Sequence, residues 1–399
     1  MDRIQTDILI SGGGVAGLSA AAAFGTAGFS VICVDPVAPA TAETDADADL
    51  RTTAFLQPSV EVLKAAGLWD RLAPHAADLQ VMRIVDAGGA LPEPRLIRDF
   101  DAADISALPF GWNLPNWLLR REIVARLDEL PNVDFRPGIA TRDVLTREGA
   151  ALVTLSDGTR IAARLLIGAD GRNSPVRNAL GIGVRTMRYG QKALAFAVTH
   201  PQPHGNISTE VHRSGGPFTL VPLPDRQGRP CSAVVWMDRG PETLRRAALP
   251  EAAFEEEMNI RSAGIYGPLT LASRRSVWPI ISQIAARMAA ERTALMAEAA
   301  HVVPPIGAQG LNMSLADLGV LLDLARATPD RLGDRRMLES YHRRRWPDVK
   351  ARVTGIDLLN RASMTGVQGL RDLRAGALNA LYAAGPLRKT LMRAGLGAR

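Results

Sequence analysis

The stretch Ile8-Leu9-Ile10-Ser11-Gly12-Gly13-Gly14-Val15-Ala16-Gly17 decides the fold. Its apolar run predicts a short buried strand, and the Ala-rich Leu18 to Ala27 that follows predicts a helix. Glycines at 12, 14 and 17 allow a tight turn between them and let a pyrophosphate approach the backbone. The amides from Gly12 through Gly14, Val15, Ala16 and Gly17 would then meet it at the partially positive helix N-terminus. Val31-Ile32-Cys33-Val34 predicts a second strand that completes a βαβ unit. It ends at Asp35, 18 positions past Gly17, where a carboxylate can accept hydrogen bonds from ribose hydroxyls. The plain alternatives are a glycine turn without a ligand and an acidic residue that caps a loop.

Two further stretches have related chemistry. In Leu165-Leu166-Ile167-Gly168-Ala169-Asp170-Gly171-Arg172-Asn173-Ser174-Pro175-Val176-Arg177 an apolar strand runs into Asp-Gly and a helix start. Asp170 can there meet a ligand hydroxyl or simply cap the helix. In Ala297-Glu298-Ala299-Ala300-His301-Val302-Val303-Pro304-Pro305-Ile306-Gly307-Ala308-Gln309-Gly310-Leu311-Asn312 a carboxylate follows an apolar run, and a Gly-rich turn opens a helix reaching about Arg326. Such a turn offers backbone donors to developing negative charge.

The chain of 399 residues, 47% apolar, has ample material for burial in two domains or in one large domain with a shared core. Its two cysteines, Cys33 and Cys231, show no metal or disulfide spacing and read as buried thiols. The first strand begins almost at Met1 and no long apolar run occurs, so a cytoplasmic location is expected. From Arg331 to Arg399 there are 15 Lys/Arg against 5 Asp/Glu, so the formal charge of +6 is a C-terminal property. Without a nucleic-acid motif or aromatic interleaving, nucleic-acid binding is set aside in favour of an acidic membrane surface or partner.

Between the motifs, Ala38 to Asp49 is expected to be a mobile loop, and helices are expected over Ser59 to Leu72 and Leu118 to Leu127. Strands are expected from Val144 to Ile167, with a hairpin at Ser156-Asp157-Gly158-Thr159, and again from about Ala193 to Met237. Helical sequence returns from Pro250 and dominates after Leu311. The expected class is α/β, a Rossmann-like dinucleotide-binding domain with an interleaved β-sheet domain and a helical C-terminal region. The expected boundaries are 1–75, 110–180 and 285–330 for the first, 76–109 and 181–284 for the second, and 331–399 for the basic helical region.

With the three motifs in this order, the chain resembles the FAD-dependent group A aromatic monooxygenases of the para-hydroxybenzoate-hydroxylase fold. The narrower likeness is to ubiquinone-biosynthesis hydroxylases of the UbiH/UbiF type. It is carried by Asp49-Leu50-Arg51-Thr52-Thr53-Ala54-Phe55, by Gly67-Leu68-Trp69 and by Pro304 to Asn312, and it extends to the tail Leu373-Arg374 to Gly397. The resemblance implies that Gly12, Gly14 and Gly17 cradle the FAD pyrophosphate and that Asp35 binds the adenosine ribose. Arg51 and Arg120 would contact phosphates or the flavin edge, and Asp170 would hold the pyrophosphate side while lining an NAD(P)H path. Gly307, Gly310, Leu311 and Asn312 would set amides against the flavin N1–C2=O region. Glu298 falls where the family has an Asp on the ribityl chain. Its usual Gly-Asp is Ala297-Glu298 here, a longer acid after a less permissive residue.

The same likeness implies that NAD(P)H reduces FAD, that O2 adds at flavin C4a, and that the hydroperoxide oxygenates a phenolic ring. The substrate implied is a polyprenylated quinone precursor held in the membrane. Alternatives are a flavin-dependent reductase or dehydrogenase of the same fold, or a non-catalytic assembly subunit of a ubiquinone-biosynthesis complex. No catalytic side chain or metal site is expected beyond the flavin. Leu378, Leu381, Tyr382, Leu387, Leu391 and Met392 among Arg388, Lys389 and Arg393 read equally as a surface peripheral on the inner membrane or as a lid packed on the FAD domain. His301 reads as structural rather than as a base, Arg343-Arg344-Arg345 as a solvated helix face, and Trp112, Trp117, Trp236 and Trp278 as packing.

Overall fold

The computed structural model describes residues 3–364 and 368–396. Gly397, which ends the quoted tail, and the side chain of Leu378 lie outside the described residues.

The Ile4–Ser11 strand lies at the centre of a sheet ordered Ala289–Ala290, Thr293–Leu295, Arg160–Gly168, Ile4–Ser11, Val31–Asp35 and Val133–Pro137. The last five are mutually parallel. Parallel strands are covered on both faces, which is why Ile8, Leu9 and Ile10 are all fully buried instead of alternating. The Val15–Thr26 helix covers one face, and its alanines from Ala20 to Ala23 are fully buried. The antiparallel strands Thr141–Thr146 and Ala151–Leu155 extend the sheet, the second turning back into Arg160–Gly168 through the expected hairpin at Asp157-Gly158.

A second sheet runs His301–Val302, Ser276–Ala285, Val184–Thr199, Arg229–Arg239, Pro217–Arg226, Ile207–His212, Val81–Asp86 and Leu96–Asp101. Its strands alternate with period two. Leu194, Phe196, Val198, Phe218, Val234 and Trp236 fill a core with Phe254 and Met258 of the Glu251–Arg261 helix. The opposite face carries Ala193, Ala195, Ala197 and Ala233, aligned by the register Ala193↔Met237, Ala195↔Val235 and Ala197↔Ala233. A third, small sheet of Thr52–Leu56, Gly111–Pro115 and Ala77–Leu79 ties the two large ones, with Asn113 Nδ2 donating to the Pro222 carbonyl at 2.8 Å.

The structure refines several expectations. The helix expected over Ser59 to Leu72 is two, Gln57–Ala65 and Trp69–Leu72. Gly67 lies at φ +69°, its N–H donates to Lys64 O, and the Leu68 N–H donates to Leu63 O. This paired pattern terminates a helix with a left-handed residue. The Ala38 to Asp49 loop forms no helix or strand, yet it is pinned. Arg274 donates to the carbonyls of Asp45 and Ala48, and Arg226 pairs with Glu43 at 3.0 Å.

The basic C-terminal region is not an appendage. Tyr341, Val349 and Val353 of the Arg335–Ser363 helix join the core of the first sheet, and Tyr341 Oη donates to the Leu295 carbonyl. Within Arg343-Arg344-Arg345 the solvated-face reading holds for the first two and fails for the third. Arg345 is buried, with Nε 2.8 Å from Asp317 Oδ1 and Nη1 2.7 Å from Asp348 Oδ2. Helical periodicity turns every third or fourth residue inward, and here position 345 is one of them. Met392 and Leu396 are buried against Phe100, Ala102 and Phe110 with Leu56 beside them, so the last helix packs where the edge strand of the second sheet meets the Thr52–Leu56 strand.

Candidate functional site

A single line of register crosses the first sheet: Val34 pairs with Ser11, Ser11 with Gly168, and Gly168 with Leu295. Just beyond that line the four strands release Asp35, Gly12, Ala169-Asp170 and Met296-Ala297-Glu298 at one edge. Ligands of open parallel sheets bind beyond the carboxyl ends of the strands, so the topology alone brings the three motifs together.

The glycines are required by close approach. A Cβ on Gly12 would lie 2.3 Å from the Ala169 carbonyl oxygen, and one on Gly17 would lie 1.9 Å from the Gly12 carbonyl oxygen. At Gly14 a Cβ would meet nothing, so the turn opens there toward solvent. No side chain caps the helix that starts at Val15, which leaves the amides of its first turn, with Val15 half-buried and Ala16 buried, available to a ligand. Asp35 accepts from the Gly13 N–H at 2.6 Å and from the Val37 N–H at 2.8 Å. It therefore braces the glycine turn itself, and a ribose would share a carboxylate already engaged by two amides.

Asp170 is held by the Val176 N–H at 3.0 Å on Oδ2, while its Oδ1 is buried without a partner. Burial raises this carboxyl above its ordinary value, against the hydrogen bonds from Ser174 and Val176 that lower it. Arg120, in the second turn of the Asn116–Asp128 helix that packs on Val15–Thr26, likewise has a buried Nε without a partner. Buried polar atoms are normally satisfied.

At the other end, Arg51 is fastened to Asp49 through Nε at 2.8 Å and Nη2 at 2.6 Å. Asn116 Nδ2 donates to the same carboxylate at 2.9 Å, and Asn116 Oδ1 accepts from Thr53 Oγ1 at 2.8 Å. The Arg51 Cζ lies 3.7 Å from the centroid of the Trp278 ring. Burial works against the Arg51 charge, but Asp49, with a further contribution from Glu298, holds it above its ordinary value. Glu298 itself is exposed on the short Ala297–Ala299 turn, and Ala297 has φ +55°, a left-handed conformation in a residue with a Cβ.

The Gly307 to Asn312 turn leads into the Gln309–Ala327 helix, which no side chain caps and which contacts Val15–Thr26. Gly307 and Gly310 are exposed, Leu311 is half-buried, and Ala308 has φ +56°. Asn312 faces inward: its Oδ1 accepts from the Leu56 N–H at 2.9 Å and its Nδ2 donates to the Ala54 carbonyl at 2.7 Å. Its side chain locks the turn to the Thr52–Leu56 strand, so any contact with a ligand is left to its backbone. Ile306 packs beside Ala193, Met237 and Ile280, on the small-residue face of the second sheet. The Ala193↔Trp278 register puts Trp278 on that face too.

The site thus has two uncapped helix N-termini, a turn that admits no Cβ at Gly12 or Gly17, unpartnered Arg120 and Asp170 atoms, and an alanine-rich sheet face packed beside Ile306. These features fit a dinucleotide whose anionic middle meets amides and arginine while its ring lies near Arg51 and Gly307 to Asn312. The sequence did not announce Trp278 as the partner of Arg51, Asp49 and Asn116 as its supports, or Gln309, whose Nε2 donates to the Gly307 carbonyl at 2.9 Å, as a tether of the turn. Only Asp49, two residues from Arg51, was within local view. His301 is buried with Nε2 2.6 Å from Asp317 Oδ2, which agrees with its structural reading.

The parallel sheet with a glycine cradle at its strand ends defines a dinucleotide-binding protein. A profile of the FAD binding domain matches residues 5–355. A ubiquinone hydroxylase, UbiL, of Rhodospirillum rubrum is 32% identical over 98% of this chain and 89% of its own. The 3-demethoxyubiquinol 3-hydroxylase of Escherichia coli is 27% identical, with all of both chains covered. Among solved structures, p-nitrophenol 4-monooxygenase PnpA of Pseudomonas putida superposes with TM-score 0.80 at 18% identity over the whole of both chains. The chain belongs to the family of FAD-dependent aromatic hydroxylases that includes the ubiquinone hydroxylases.

Proposed function

We propose that this enzyme hydroxylates the ring of a polyprenylated phenol, a quinone precursor in ubiquinone biosynthesis, using O2 and NAD(P)H as co-substrate. The observation that carries this reading is the apposition of the strand-end cradle to the alanine-lined face of the second sheet. An aromatic ring would be accommodated there beside Ile306 and Met237 with most water displaced. The likeness to the ubiquinone hydroxylases supports the substrate class.

Bound FAD supplies the electron transfer and the oxygen chemistry. The chain's residues supply position and charge. Gly12, Gly14, Val15, Ala16 and Gly17 with Arg120 hold the pyrophosphate, and Asp35 keeps the turn in shape beside the ribose. Asp170 lines the same side, where NAD(P)H would approach, and Glu298 takes the ribityl hydroxyls. Arg51 and the amides from Gly307 through Gly310 and Leu311 to Asn312 stabilise negative charge on the ring. Residues 1–75, 110–180 and 285–330 form the flavin-holding part in this reading, and 76–109 with 181–284 form the substrate part.

A substrate dissolved in lipid requires an enzyme that reaches the bilayer. Among the described residues no helix is long and apolar enough to cross one. Peripheral contact is supported by Leu387 and Leu391, which are 52% and 48% exposed on the basic C-terminal helix.

Gene deletion followed by identification of the quinone intermediate that accumulates tests the substrate, and an unchanged quinone pool would overturn it. Oxygen uptake coupled to NADH or NADPH oxidation by the purified flavoprotein tests the reaction. Reduction of an acceptor without oxygen uptake would favour a dehydrogenase.

A further inference from the structure

The helix Gly385–Leu396 has two apolar ridges that face opposite ways. Met392 and Leu396, four residues apart, are buried against Phe100, Ala102 and Phe110, with Leu56, Ile105 and Tyr382 around them. Leu387 and Leu391, also four apart, face solvent. A globular helix needs only the first ridge. The second lies within the basic C-terminal region, on a helix where Arg393 is exposed and Lys389 half-buried.

The C-terminal end of this helix reaches the Gly307 to Asn312 turn. Gln309 Nε2 donates to the Gly395 carbonyl at 3.2 Å and to the Gly307 carbonyl at 2.9 Å, and Gln309 Oε1 accepts from Arg352 Nη1 at 2.7 Å. The same residue therefore belongs to the turn and holds the end of the C-terminal helix. A second route runs through Leu56, which packs in the Met392 and Leu396 cluster and gives its N–H to Asn312. The helix is held to the body electrostatically by Asp104, 3.1 Å from Arg388 Nη2 and 3.9 Å from Lys389 Nζ. One carboxylate shared by two cations at these distances is a contact that lipid phosphates can replace.

We propose that Gly385–Leu396 is a strap on the flavin turn that responds to an anionic bilayer. Leu387 and Leu391 enter the interface while lipid phosphates draw Arg388 and Lys389 from Asp104. The Gln309–Gly395 contact then loosens, and the Gly307 to Asn312 turn becomes free to move when the enzyme sits where its substrate is. The proposal rests on the membrane reading given above and adds the coupling to the turn.

The test uses the full-length flavoprotein with vesicles of phosphatidylcholine, with or without phosphatidylglycerol. Co-sedimentation reports binding, and amide hydrogen exchange over residues 307–312 reports local opening of the turn. Wild type is expected to pellet with phosphatidylglycerol vesicles only, with exchange at 307–312 rising severalfold. L387D/L391D, altered only at exposed positions, is expected to lose both effects while keeping the vesicle-free exchange rate. Gln309→Ala is expected to pellet normally but to show fast exchange at 307–312 with or without vesicles. Wild type that pellets with unchanged exchange at 307–312 would overturn the strap and leave the membrane reading standing. Failure of wild type to pellet, or pelleting of L387D/L391D like wild type, would overturn the membrane surface as well.

Discussion

The guanidinium carbon of Arg51 stands 3.7 Å from the centroid of the Trp278 ring, and through that contact the loop before the Thr52–Leu56 strand reaches the second sheet across the cleft. Asp49 orients the guanidinium from behind with two hydrogen bonds, so the fork is already set before any ligand arrives. Its position and charge suit a ring that gains negative charge on reduction.

Arg51→Ala removes the stacking, worth about 0.5–2 kcal/mol, and strips the buried Asp49 carboxylate of its main partner at a cost of about 1–3 kcal/mol. Flavin affinity is expected to fall by about tenfold or more, since ~1.4 kcal/mol is a factor of ten. Fluorescence titration of the apoprotein with FAD measures it. Arg51→Lys is expected to recover only part, because an ammonium has no planar fork. Affinity equal to wild type in Arg51→Ala would remove Arg51 from the site.

The Asp49 carboxyl is buried, which works against its charge, but its bonds to Arg51 and Asn116 hold it below the ordinary carboxylate range. A lowered folded value means the contribution to stability is complete above about pH 3.9, the unperturbed value, and is lost as pH falls through the lowered one. Asp49→Asn is expected to flatten that part of the acid limb in a urea-unfolding series against pH. An unchanged acid limb would contradict the assignment.

Ala297 holds a left-handed φ of +55° just before Glu298. A Cβ in that region is penalised by about 1–2 kcal/mol, and glycine's extra freedom in the unfolded chain offsets about 0.5–1 kcal/mol of any relief. Ala297→Gly is expected to raise stability by up to about 1 kcal/mol, seen as a shift of the urea midpoint at unchanged slope. Glu298→Gln is expected to weaken FAD binding with stability little changed, because its side chain is exposed. Loss of stability in Glu298→Gln would mean that the residue serves the fold.

Asp317 is fully buried between His301 Nε2 at 2.6 Å and Arg345 Nε at 2.8 Å. Burial opposes the Arg345 charge, yet the Asp317 carboxylate holds it well above its ordinary value. Removing one partner of a buried pair leaves the other uncompensated, at about 3–5 kcal/mol. Asp317→Ala is expected to lose that much in chemical denaturation and to loosen the Arg335–Ser363 helix. A loss below ~1 kcal/mol would show that the cluster relaxes into solvent.

Cys33 and Cys231 are both buried and unpaired. Burial pushes the Cys231 thiol up to about 11, and Cys33 higher still. Neither is expected to react with a disulfide reagent in the native protein at pH 8, while both react after denaturation. Fast labelling of native protein would show an opening that the fold does not contain.

The parts of this protein that the sequence determined are those whose physics is local. Gly12, Gly14 and Gly17 lie within one turn of chain between an apolar run and an alanine helix, so their spacing states the conformation they need. Asp35 and Asp170 follow from the ends of recognisable strands, and the hairpin at Asp157-Gly158 from its turn residues. Tertiary structure decided what depends on contacts between distant segments. Nothing near Arg345 in sequence announces Asp317, 28 positions away, as its buried partner. No pattern in 276–285 distinguishes Trp278 from a packing indole until the register brings it under Arg51. The strain at Ala297 arises because a parallel strand must end in a turn at the level of Gly168, which supplies its carbonyl to Met296. The C-terminal helix could be read as amphipathic from its residues, but which ridge is covered, and that Gly395 touches Gln309, depend on the surface against which it folds. Hydrophobic and charged spacing fixes the faces of an element, whereas the partner of each face is chosen by the packing of the whole chain.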